Sequence, residues 1–115
     1  MMLDKLTTPK FIVTIIDMKA VELVRTRVVY SETAFAELVL WQLPSPVAKS
    51  THGYKYRLAY VVDGVCVLRY DNESGKGDHR HYGKLESAYA FSAPGELLAD
   101  FQADIARWNH ENTGA

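Results

Sequence analysis

Two runs rich in branched and aromatic residues, Tyr54–Val62 and Val65–Asp71, are separated only by Asp63-Gly64. An Asp-Gly pair between β-prone runs is a strong short-range hairpin signal, because a tight hairpin turn needs two left-handed residues. This pins two antiparallel strands in the middle of the chain. In an unbroken two-residue register Val62 faces Val65, Tyr60 faces Val67, Leu58 faces Arg69 and Tyr56 faces Asp71. Tyr56, Arg69 and Asp71 are then expected on one face at the open end. Both faces are apolar near the turn, which places the hairpin centrally.

Around it the chain reads mainly as strand. Residues 19–30 alternate Val21, Leu23, Arg25, Arg27 and Val29 against Glu22, Val24, Thr26, Val28 and Tyr30, a period-two pattern without helix breakers. Residues 34–43 hold enough Ala, Leu and Glu for a helix. Their position after a short turn, ahead of Pro44-Ser45-Pro46, favours a second antiparallel strand. Pro44 to Gly53 is a loop, since its prolines remove donors and restrict their neighbours. Leu85–Phe91 reads as a further short strand. Ser92-Ala93-Pro94-Gly95 opens a helix, with Ser92 as cap and Pro94 in the first turn. Leu97, Leu98, Phe101, Ile105 and Trp108 recur at three and four and face the sheet. Glu96, Asp100 and Asp104 line the exposed side, and the chain frays from Asn109.

The expected fold is therefore α+β: a curved antiparallel β-sheet of four to six strands with a C-terminal helix packed on one face. A length of 115 residues suits one domain. We place that domain at residues 18–115, with residues 1–17 an N-terminal extension or an extra edge strand over Phe11–Ile16. No run approaches the length of a membrane span, and Asp17 interrupts any signal-peptide pattern, so a cytoplasmic location is expected. Cys66 is the one cysteine, read as a buried inert thiol. Exposed sheet edges make a homodimer an expected possibility.

Charge is uneven although the formal net charge is -1. Residues 49–84 carry seven Lys/Arg, four Asp/Glu and three histidines, whereas residues 85–115 carry five acids and one arginine. This permits an anion site in one part and a basic partner at the other. The polar concentration peaks at Arg69–Gly83, which reads as a long functional loop rather than a chain reversal.

Gly75-Lys76-Gly77 lacks the upstream glycine and following Ser/Thr of a Walker A loop, which excludes that nucleotide-binding class. Its flanking glycines still let backbone N–H groups and an ammonium approach a phosphate. In an extended segment His79 and His81 point one way and Arg80 the other. These parts support a metal-independent ribonuclease: His79 and His81 as acid and base, Lys76 and Arg69 on the developing phosphate charge. Tyr56 or Tyr82 is an alternative proton donor. Tyr56, Arg57, Gly75, Gly77, Arg80 and Lys84 would contact RNA, with Asp71, Asn72, Glu73, Asp78 and Tyr82 in support. That reading needs no cofactor. The same stretch supports a metal-dependent nuclease or hydrolase with Asp78, His79 and His81 as ligands, joined by Asp71 or His52. A third use is non-enzymatic binding, with basic residues on a backbone and tyrosines stacking bases or forming a protein interface.

The runs Tyr54–Val61, Gly64–Glu73 and Gly75–His81 resemble the TumE family, small bacterial toxin components of toxin–antitoxin systems. The resemblance starts near Met18 and reaches the terminal helix. It implies a toxin with a cognate helix-turn-helix antitoxin, and the acidic helix side is one docking candidate. RNA as substrate is an analogy to other small toxins. The family assigns no catalytic residue that can be carried over.

Overall fold

The computed structural model describes residues 20–46, 51–73 and 75–112. The expectations for residues 1–17 lie outside the described residues. Among the described residues six strands follow one another as a meander: β1 (Val21–Ser31), β2 (Ala34–Gln42), β3 (Tyr54–Val62), β4 (Val65–Asp71), β5 (His79–Tyr82) and β6 (Leu85–Ala88). Each pairs antiparallel with the next. The C-terminal helix, α1 (Pro94–Asn112), packs on one face. The α+β expectation therefore holds, with six strands and a sheet that is not strongly curled.

The helix-like composition of Ala34–Gln42 gives way to its neighbours. Pairing on both sides buries Ala34, Ala36, Leu38 and Leu40 in strict alternation, which outweighs weak local propensity. Asp63 and Gly64 adopt φ of 51° and 79°, the two positive angles of a type I′ turn. Pro94 is the first helical residue, and the Ala93 carbonyl accepts the first bond, from Leu97 N–H at 3.0 Å. The cap position is thus Ala93, not Ser92, and the helix runs on to Asn112 rather than fraying at Asn109.

The hairpin register differs from the unbroken one. Val62 pairs with Val65 and Val61 with Cys66, but Tyr60 then pairs with Leu68, Leu58 with Tyr70, and Arg57 with Asp71. Val67 is the extra residue of a β-bulge, which shifts everything after it by one. The reason is burial. An unbroken ladder would place Arg69 and Asp71 under the helix. The bulge puts Leu68 and Tyr70 there instead, fully buried with Leu58, Tyr60, Leu97 and Phe101, each side chain contributing about 1.5–3 kcal/mol. Arg69 and Asp71 move to the helix-free face, and Tyr56 stays on the other. Cys66 lands on the helix-free side near the turn and is exposed, contrary to the buried thiol expected.

The helix also corrects a helical-wheel reading. Asp104 is buried and bonds Arg80 through Nε at 2.6 Å and Nη2 at 2.9 Å, and it accepts from the Tyr70 hydroxyl at 2.6 Å. Asp100 accepts from the Tyr89 hydroxyl at 2.6 Å. Both acids face the sheet, so they do not form the free acidic docking face expected. Burial and the hydrogen bond to Asp104 hold the Tyr70 hydroxyl above its ordinary range.

Candidate metal centre

The segment Arg69–Gly83 is not one long loop. Arg69 to Asp71 finish β4, the loop spans residues 72–78, and His79 begins β5. Gly83, with φ of 60°, and Lys84 make the two-residue turn into β6, as a II′ turn with glycine first requires. Pairing then fixes the face. His79 lies opposite Asp71, and His81 lies between Arg69 and Glu86. Cross-strand partners share a face, so Arg69, Asp71, His79, His81 and Glu86 meet on the helix-free side.

Their polar atoms converge. Glu86 Oε2 lies 3.5 Å from His79 Nε2, 3.5 Å from His81 Nε2 and 3.5 Å from Lys76 Nζ. Asp71 Oδ1 lies 3.4 Å from His79 Nε2. The two imidazole centroids are 5.3 Å apart. An open cleft of about 410 Å³ beside them is lined by Lys76, Asp78, His79, Glu86, Ser87 and Ala88.

The loop orients the first histidine. Gly75 and Gly77 take φ of 80° and 86°, a conformation with little penalty only for glycine. The turn aims the Gly77 carbonyl at His79 Nδ1, 3.1 Å away. A carbonyl only accepts, so Nδ1 carries the proton and Nε2 keeps its lone pair toward the cluster. Both loop ends are clamped. Asn72 is fully buried; its Oδ1 accepts from Tyr56 N–H at 3.0 Å and its Nδ2 donates to the Tyr54 carbonyl at 2.7 Å. Asp78 Oδ2 accepts from the Tyr56 hydroxyl and from His52 Nε2, each at 2.7 Å. His52 Nδ1 accepts from Tyr54 N–H, which puts the ring proton on Nε2.

Three buried side-chain polar atoms among the described residues make no hydrogen bond: Asp71 Oδ1, His81 Nε2 and Arg69 Nε. Arg69 Nε is 2.9 Å from Asp71 Oδ2, an ion pair by distance whose N–H direction misses the oxygen. All three belong to this cluster. Leaving such groups unmet costs about 1–3 kcal/mol each, and a cation between them meets the oxygen and nitrogen lone pairs together. Ligand atoms of His79, His81 and Glu86 all lie within 4.8 Å of one another. Four ligands at tetrahedral zinc, with bonds of about 2.1 Å, sit about 3.4 Å apart, close to the 3.4 and 3.5 Å separations found here. Two imidazoles and carboxylate oxygens suit zinc or manganese. The residues present therefore fit a divalent ion.

The other candidates are distributed as follows. Lys76, Gly75 and Gly77 border the cluster on the loop, and Glu73 is exposed there. Arg57 lies on the same face, opposite Asp71. Lys84 is exposed in the turn. Asp78 is turned toward His52 and Tyr56 and stands outside the ligand group. Arg80, Tyr82 and Tyr56 lie on the helix side. Burial and the bond to Asp78 push the Tyr56 hydroxyl well above its usual range. Tyr82 is pushed up to about 12 by burial and its bond to Glu111. Neither hydroxyl is tuned to give up a proton near neutrality. Glu86 was missed from sequence. Its signal was Gly83-Lys84, a two-residue turn that sets Glu86 across from His81.

A family model described as Toxin TumE matches residues 10–109. No curated protein and no solved structure matches the chain.

Proposed function

The chain belongs to the TumE toxin family, and from that premise we propose that it is a metal-dependent hydrolase of phosphodiesters. Residues His79, His81 and Glu86, with Asp71, hold the divalent ion. The observation that carries the reading is the Glu86 carboxylate set equally between two imidazole nitrogens, one fixed in tautomer by Gly77. A metal-independent acid/base pair is supported less well, because both Nε2 atoms face carboxylates rather than open space.

A divalent ion bound there supplies Lewis acidity toward a phosphoryl oxygen. The chain's own residues do the rest. Lys76, carried between two glycines at the cleft, holds a non-bridging phosphate oxygen by charge. Arg69, paired with Asp71, keeps that carboxylate aimed at His79. Family membership implies an antitoxin partner in general, and we take a helix-turn-helix protein as the candidate. No described helix is long and apolar enough to cross a membrane.

The test is RNA cleavage by purified protein after chelation. Cleavage should stop with EDTA and return with zinc or manganese. Glu86→Gln and His81→Ala should abolish it while leaving the thermal transition in place. Undiminished cleavage in excess chelator would overturn the metal reading.

A further inference from the structure

The helix-free face carries more than the cluster. Two cross-strand rows run the width of the sheet. One passes through Arg25, Val39, Arg57, Asp71 and His79; the next passes through Arg27, Glu37, Ala59, Arg69, His81 and Glu86. Four arginines thus lie on the two rows that carry the candidate ligands. We infer that this face is a track for a single-stranded polynucleotide, gripped by Arg25, Arg27 and Arg57 and delivered past Arg69 to the cluster. The inference rests on the phosphodiesterase reading and adds the substrate class and its path.

The arginines are arranged for this. Arg57 is exposed and has no partner among the described residues. Arg25 and Arg27 pair with Glu22 at 2.7 Å and Glu37 at 2.6 Å, with arginine side chains 59% and 56% exposed. Such exposed pairs contribute little and exchange readily for phosphate. A depression of about 280 Å³ lies between Arg25, Arg27, Glu37, Val39 and Arg57. The Arg27 guanidinium also lies 4.1 Å over the Phe35 ring on the same face, which keeps it flat when Glu37 gives way to phosphate. A flat guanidinium backed by an aromatic ring is a platform for an unpaired base. A duplex keeps its bases stacked inside and cannot use it. Strands are about 4.8 Å apart, so β5 to β1 spans about 19 Å. That length exceeds what a single nucleotide reaches.

The experiment is fluorescence anisotropy of labelled oligonucleotides with the full chain in EDTA, where binding is read without metal-dependent cleavage. The probes are a single-stranded RNA of about twelve nucleotides, the matching DNA strand, the duplex and a dinucleotide. Zinc titration runs in parallel. The single strands should bind and the duplex and dinucleotide should not; RNA against DNA identifies the source of the phosphodiester. Arg57→Ala and the Arg25→Ala/Arg27→Ala pair should each weaken binding about tenfold or more, as loss of charged hydrogen bonds does. The salt slope should fall by about 0.7 per arginine removed, with zinc affinity unchanged. Unaltered binding by the triple arginine variant overturns the track, as does equal binding of duplex. So does loss of a protein partner, with RNA binding intact, in that variant. If the arginines bind RNA but no metal restores cleavage, the hydrolase reading fails and the track stands. Metal-dependent cleavage with normal binding by the arginine variants sinks the track alone.

Discussion

His79 Nδ1 donates to the Gly77 carbonyl at 3.1 Å, and this one bond decides which imidazole nitrogen faces Glu86. Partners that orient a ligating imidazole typically matter 10–100-fold in metal affinity. At φ of 86° any side chain at position 77 strains the turn. Gly77→Ala should therefore lower zinc affinity about tenfold or more, measured by calorimetric titration. Unchanged affinity would detach the loop from the site.

The bulge at Val67 gives a second prediction. Deleting Val67 removes the extra residue and leaves Leu68 opposite Tyr60 and Tyr70 opposite Leu58 in an unbroken ladder, so both side chains keep the helix-side face that a one-residue slip would have cost them. The deletion should therefore keep a cooperative denaturation curve. Loss of the cooperative transition would mean that Val67 itself, rather than the pairing of Leu68 and Tyr70, holds the face.

The Asp104 pair gives a third. Asp104→Ala leaves Arg80, 27% exposed in its side chain, without its carboxylate, and should cost about 3 kcal/mol by chemical denaturation. Replacing Arg80 by Met in the same protein should recover part of the loss. Zinc binding should survive in both, since Arg80 faces the helix.

Alkaline pH tests the tyrosines. Burial first, then bonds to carboxylates, raises Tyr56, Tyr70 and Tyr89 above 10.0. Folding therefore favours their protonated forms. The contribution is full below pH 10.0 and is lost as pH rises toward the folded values. Stability should fall above that pH, with tyrosinate absorbance appearing together with unfolding. Tyr70→Phe should flatten the dependence. Tyrosinate forming well before unfolding would contradict it.

These relationships also show what a sequence carries. The Asp63-Gly64 turn and the alternation of Ala34–Leu40 are local signals, and both elements were legible. The Val67 bulge was not, because only contact with Leu97 and Phe101 makes burying Tyr70 better than burying Asp71. Asp104 sits on a helical stripe that looks exposed until Arg80 arrives from β5. The histidines were legible as a pair, but Glu86 joins them through a strand register that depends on Gly83-Lys84. Asp78 looked like their ligand because it adjoins His79; His52, far away in sequence, claims it instead.

The most direct measurement is a zinc titration of chelator-stripped protein, wild type against His79→Ala, His81→Ala and Glu86→Gln, read by calorimetry and by the thermal transition. The account predicts one ion per chain, a transition raised by zinc in wild type, and both effects lost in all three variants, which stay folded. Equal zinc binding by wild type and the variants, or none by wild type, would contradict it.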